Sequence, residues 1–191
     1  MQKIEYCFER NFEKVIYESE TVSFKEFETC SFNECDFSKC NFTAVTFIDC
    51  TFRNCNFSGS KVNHTAFRGA LFINCIMRDL NFAMCDKLIF EINFTDCILD
   101  FSKFYALKIK GTTFTRCSLI AVDFMETDLS GVLFDCCDLY RALFMKSIAI
   151  RVDFTSSFNY SIDPENNKIS KALFSLAGVK GLLDKYEIIV E

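Results

Sequence analysis

Residues 27 to 57 read Phe27-Glu-Thr-Cys30-Ser-Phe32-Asn-Glu-Cys35-Asp-Phe37-Ser-Lys-Cys40-Asn-Phe42-Thr-Ala-Val45-Thr-Phe47-Ile-Asp-Cys50-Thr-Phe52-Arg-Asn-Cys55-Asn-Phe57, with a phenylalanine at every fifth position. A helix of 3.6 residues per turn carries such a series off any one face within two turns. A flat strand, alternating every two residues, turns every second ring into water. A period of five fits a solenoid, in which each pentad is one short side of a coil and its central ring points inward.

Working outward, the same phase holds Phe12, Tyr17, Val22, Val62, Phe67, Phe72, Met77 and Phe82. Centres resume, displaced by two residues, at Phe94, Leu99, Phe104, Ile109, Phe114, Leu119, Phe124, Leu129, Phe134, Leu139, Phe144, Ala149 and Phe154. A two-residue insertion is expected between Met84 and Ile92, at Cys85-Asp86. From Phe94 on, Phe alternates with Leu or Ile, a ten-residue super-period. A four-sided coil accounts for it: two opposite walls carry Phe, the other two carry smaller residues, and each layer fills its square interior.

Two residues before a centre the chain places something small or β-branched: cysteines, Ser60, Thr65, Ala70, Thr112, Thr127, Val132, Ala142 and Ser147. The positions of the 12 cysteines follow the repeat and not a disulfide framework, and the nine that lie two residues before a centre read as small buried apolar groups. Gly59, Gly69, Gly111 and Gly131 fall two residues after a centre, where a corner with positive φ is expected.

Runs such as Cys30-Ser-Phe-Asn-Glu, Cys35-Asp-Phe-Ser-Lys, Cys40-Asn-Phe-Thr-Ala and Thr127-Asp-Leu-Ser-Gly resemble the pentapeptide-repeat family, whose pattern is a small residue, Asn or Asp, Leu or Phe, Ser or Thr, then any residue. The resemblance covers roughly residues 10 to 160 and implies an all-β solenoid, a right-handed quadrilateral β-helix of twenty residues per coil. Residues 1–11 read as an N-terminal cap, 12–160 as the repeat with a phase shift near 83–91, and 161–191 as a C-terminal capping and dimerisation tail. In the tail, Asp163-Pro164-Glu165 signals a helical turn. Ser175 opens a short C-terminal helix with an apolar stripe of Leu176, Val179, Leu182, Leu183 and Tyr186, and Ile188 to Val190 are expected as a strand. That stripe is the candidate homodimer interface.

The ending Ala172-Leu-Phe-Ser-Leu-Ala-Gly-Val-Lys-Gly-Leu-Leu and the segment Asn159-Tyr-Ser-Ile-Asp-Pro-Glu resemble the Qnr-type and mycobacterial quinolone-resistance branch. That branch implies a dimeric, non-enzymatic DNA mimic that binds DNA gyrase and topoisomerase IV. Net charge is -5, and the first 36 residues hold nine acids against four bases while the rest balances, so Glu26 and Glu28 become candidate partner-facing residues. This acidity argues against nucleic acid as a direct partner. Outward apolar residues of the second half, among them Phe101, Tyr105, Ile120, Met125, Leu143, Met145, Ile148 and Ile150, support an alternative, a scaffold or adaptor with an apolar wall. Tyr105, Met125 and Met145, twenty residues apart, are expected one above another.

Chemistry finds little support. There is no C-x-x-C and no glycine-rich phosphate loop, and the one histidine, His64, falls at an exposed corner, so neither cofactor nor metal is expected. Lys108 with Asp128 and Glu126 with Lys146 are expected to stack. The opening residues are not a signal peptide, and no apolar run has membrane-spanning length, so the expected setting is cytoplasmic and away from membranes.

Overall fold

The computed structural model describes residues 5–17 and 22–189. The chain coils with parallel pairing, each turn lying twenty residues from the next and twenty-two across the insertion. The first wall carries a four-stranded sheet of β1 (Glu5–Phe8), β3 (Lys25–Glu28), β5 (Thr46–Ile48) and β7 (Ala66–Arg68), hydrogen-bonded in that order. The second wall carries a seven-stranded sheet: β2 (Asn11–Glu13), β4 (Ser31–Asn33), β6 (Thr51–Arg53), β8 (Ala70–Ile73), β9 (Ile92–Thr95), β10 (Thr113–Thr115) and β11 (Leu133–Asp135). The third and fourth walls stack as single backbone pairs, such as Asp36 with Asn56 and Lys103 with Asp123.

The predicted centres are the core. Phe94, Phe114, Phe134, Phe154 and Phe174 stack on the second wall with ring centroids 5.0 to 5.2 Å apart. Phe82, Phe104, Phe124 and Phe144 form the facing column at 4.7 to 5.5 Å. Rings of the two columns meet edge to face, as for Phe104 and Phe114 at 87°, a geometry worth about 0.5 to 1.5 kcal/mol beyond area burial. Leu99, Leu119 and Leu139 fill the third wall and Ile109, Leu129 and Ala149 the first. Phe therefore sits on opposite walls, as the ten-residue super-period requires.

Corners are taken by the residue two after each centre. The four glycines there have φ between 69° and 73°, and non-glycine corners such as Lys39, Asn54, His64 and Arg151 also adopt left-handed backbone, at 54° to 63°. On many sides, Asp or Asn before the centre folds its carboxyl or amide oxygen onto the N–H two residues on, as Asp36 does to Ser38 at 2.9 Å and Asn56 to Ser58 at 3.1 Å. This turn explains the Asn/Asp and Ser/Thr of the pentad.

Three boundaries differ from the sequence reading. The solenoid begins before residue 12, because β1 is already a rung, with Cys7 beneath Phe27. Ile4 of the expected cap lies outside the described residues. The insertion is not at Cys85-Asp86: the Cys85 thiol reaches Val62 O and the Asp86 N–H reaches Thr65 O in the old register. The extra length falls in 87–90, where Leu88 and Ile89 are exposed and Phe90 turns inward against Phe67 and Phe82.

The tail forms no single amphipathic helix. It makes two tight 3-10 turns, Val179–Leu182 and Asp184–Tyr186, and Ile188 and Ile189 are not in a strand; Val190 lies outside the described residues. Gly178 and Gly181 lie against Tyr160, where a side chain on either would strike its hydroxyl or carbonyl group. The Asp163-Pro164-Glu165 segment is a turn, and Lys185 clasps it with Nζ 2.7 Å from Asp163 and 2.6 Å from Glu165.

Lys185 holds both carboxyls below their ordinary range through these bonds. The clasp's contribution is present at neutral pH and lost as pH falls through the lowered carboxylate values. Protection of the amides of residues 179–186, measured against the intrinsic exchange rate at each pH, should fall below about pH 4 and, at pH 7, in Lys185→Ala; a tail equally protected in that variant would refute the clasp. Phe114→Ala should lower stability by about 3 to 5 kcal/mol in urea unfolding, with Phe114→Leu milder because Leu fills the same role on adjoining walls.

Candidate protein-binding surfaces

Inward of the walls the pentad builds a second regular contact. The carbonyl of a centre accepts one turn N–H, as Phe42 O accepts Val45 N–H at 3.0 Å. It then accepts a side-chain donor from the next coil: Thr65 Oγ1 to Phe42 O at 2.8 Å, Ser60 Oγ to Phe37 O at 2.7 Å and Thr127 Oγ1 to Phe104 O at 2.8 Å. The cysteines do the same with sulfur, Cys55 Sγ to Phe32 O at 3.4 Å and Cys137 Sγ to Phe114 O at 3.3 Å. Burial pushes the thiols of Cys40 and Cys50 up to about 11 and about 12, so they remain protonated donors near neutral pH. The sequence reading treated these cysteines as apolar filler. The signal for the donor role was their exchange with Ser and Thr at one position of the pentad.

The side chains that do not serve the core point outward. Glu26 and Glu28 stand on β3 of the first wall, half-buried, and the Tyr6 hydroxyl donates to Glu28 at 2.6 Å. Tyr105, Met125 and Met145 do stack on the fourth wall, joined by backbone bonds from Ala106 to Met125 and from Glu126 to Met145. Met125 and Met145, with Leu143, border a groove of about 480 Å³ that Asp163, Asn166 and Asn167 also line, whereas Tyr105 lies outside it. The remaining outward apolar residues do not join this patch: Phe101 and Ile120 lie on the third wall, Ile148 and Ile150 on the first.

The tail residues divide. Leu176 is 97 % exposed, Val179 and Tyr186 also face outward, Leu182 packs on the core, and Leu183 is half-buried. They share no single face. The Tyr186 hydroxyl instead donates to Glu165 at 3.1 Å. Lys108 and Asp128 stack as expected and Lys146 pairs with Glu126 at 3.8 Å, while the Asp128 carboxylate makes its ion pair with Lys110 at 3.0 Å. His64 is an exposed corner with φ 56°. Among the described residues no group of His, Cys, Asp and Glu is arranged to hold a metal, and no helix is long and apolar enough to cross a membrane.

A four-walled parallel coil built on this five-residue pattern is the β-helix fold of pentapeptide-repeat proteins. Residues 25–88 match the sequence model of the pentapeptide repeat region. Two trypsin-treated variants of QnrB1, described as a plasmid-mediated fluoroquinolone resistance protein, superpose with TM-scores of 0.54 and 0.56 at 15% and 17% identity, over 98% of both chains. That likeness is one of fold. A search of curated proteins found no match.

Eleven of the 12 cysteines are buried and Cys136 alone is exposed. A water-soluble thiol reagent should label one site rapidly in the native state and the rest only on unfolding; several fast sites would contradict the buried donors. Thr65→Val should cost about 0.5 to 1.5 kcal/mol by removing one donor, and Thr65→Ser should cost less.

Proposed function

We propose that the protein is a non-enzymatic binding rod whose acidic end occupies a basic, duplex-shaped cleft, that of a type II topoisomerase such as DNA gyrase or topoisomerase IV. The observation that carries this reading is the charge of the first coils. Glu5, Glu9, Glu13, Glu26, Glu28, Glu34 and Asp36 project there against Arg10, Lys14 and Lys25, and two of those bases are already paired, with Glu34 and Glu5. Walls separated by a core of about 10 Å, with outward side chains, give a rod on the order of 20 Å across, close to a duplex. Carboxylates on such a rod present the charge that a phosphate-binding cleft attracts. The fold shared with QnrB1 supports the reading at the level of architecture.

A second reading rests on the fourth wall, where the groove beside Leu143 and Met145 suits an apolar segment of another protein. Gyrase supercoiling of relaxed plasmid, with and without a quinolone, separates the two. Restored supercoiling in the presence of the drug, or inhibition without it, is expected, and Glu26→Lys with Glu28→Lys should weaken either effect at least several-fold. No effect on gyrase or topoisomerase IV at tens of micromolar would overturn the topoisomerase reading, and loss of partner capture on Met145→Glu would favour the second.

A further inference from the structure

The first wall has a polarity that the net charge conceals. Its outward residues run in columns, one coil above another. One column passes through Tyr6, Glu26, Thr46, Ala66 and Asp86 to Lys108, Asp128, Ile148 and Lys168. Another holds the corner residues Glu9, Asp49 and Arg151. The half before the insertion is thus acidic and the half after it basic. Among the described residues none of Glu26, Asp49, Asp86, Lys108, Arg151 and Lys168 has an ion-pair partner in its own chain.

We propose that this wall is a self-complementary interface on which a second copy of the chain docks antiparallel, through a twofold axis lying along the strands between the insertion and the Lys108 coil. Such an axis reverses the rod and preserves position along each strand, so every column faces itself. The coil of Glu26 then meets that of Lys168, the coil of Asp49 meets that of Arg151, and Asp86 meets Lys108. All three oppositions are of unlike charge, and each falls within a single column, Glu26 with Lys168 and Asp86 with Lys108 in one and Asp49 with Arg151 at the corner. Ile48 and Ile150, both half-buried on the column between, meet each other and supply an apolar centre.

Neighbouring registers fail. An axis through the insertion sets Arg68 against the coil of Lys108 and Lys110, and an axis one half-coil earlier sets Glu26 and Glu28 against Asp128. Eight coils at about 4.8 Å, on a wall about 15 Å wide, offer on the order of 500 Å² per protomer, near the lower bound of a specific interface. Unlike charges must therefore carry much of the affinity, and the dimer is salt-sensitive.

This interface goes beyond the topoisomerase reading and covers Glu26 and Glu28, so a dimerised rod and a cleft-bound one exclude each other. Its test is mass by light scattering, which is independent of any enzyme. The wild type at high micromolar concentration should be a dimer near 0.1 M salt and a monomer at 1 M, as the screening length falls from about 10 to about 3 Å. Arg151→Glu with Lys168→Glu should give a monomer at low salt, as should Glu26→Lys with Asp49→Arg, either pair serving if the other fails to fold. All four substitutions together should restore the dimer. A wild type that is monomeric throughout would overturn the proposal. So would a dimer that survives both reversals and is lost in Leu176→Arg, since the exposed tail would then be the contact.

Discussion

Each side chain of the coils stands over its equivalent twenty residues away, twenty-two across the insertion, at the spacing of parallel strands, and that enforced neighbourhood governs inside and outside alike. Inside, it converts a five-residue period into continuous columns of rings, Phe94 through Phe174 on one wall and Phe82 through Phe144 on the other. Outside, it would stack like charges, so opposite signs alternate instead: Lys14 with Glu34, Lys25 with Glu5, Arg116 with Asp96 and Lys146 with Glu126 are all twenty apart. These exposed pairs add little stability individually. Their value is that each sets unlike charges at adjacent levels of its column.

The same constraint fixes the backbone. A side of five residues closes only if its corner turns into left-handed conformation, and residues as different as Lys39, His64 and Arg151 adopt it where no glycine is present. Each costs something in isolation. Repetition makes the cost bearable, because the N–H and C=O groups on both sides of every corner find partners in adjacent coils. The donor two residues before the centre completes the arrangement by occupying the second lone pair of a buried carbonyl.

The fold was legible because a period of five has one structural meaning, and the alternation of Phe with Leu told which walls face each other. The insertion was harder to place. Cys85-Asp86 fits the pentad of the first phase as a small residue followed by Asp, and the inward turn of Phe90 shows that the extra residues follow it. The tail misled because Leu176, Val179, Leu183 and Tyr186 have helical spacing. The close approach of Gly178 and Gly181 to Tyr160 fixes a different path, and glycine weakens a helix in any case. Surface charge was legible as an acidic first end and as a few stacked pairs, but not as the polarity of one wall. That Asp49 and Arg151 share a column follows from coil register, which a linear count of acids and bases does not contain.

The insertion has a mechanical meaning as well. Three walls run across it unbroken, through Phe72 with Phe94, Ile76 with Ile98 and Asn81 with Lys103. On the first wall the sheet ends at β7, and among the described residues no backbone hydrogen bond joins 87–90 to 107–110. In a molecule whose cohesion is a sum of contacts between adjacent coils, that coil junction is the weakest link. The rod is two cooperative blocks joined at a seam, a Phe-dense block before it and a mixed Phe and Leu block after it, and a pull along its axis would part them there first.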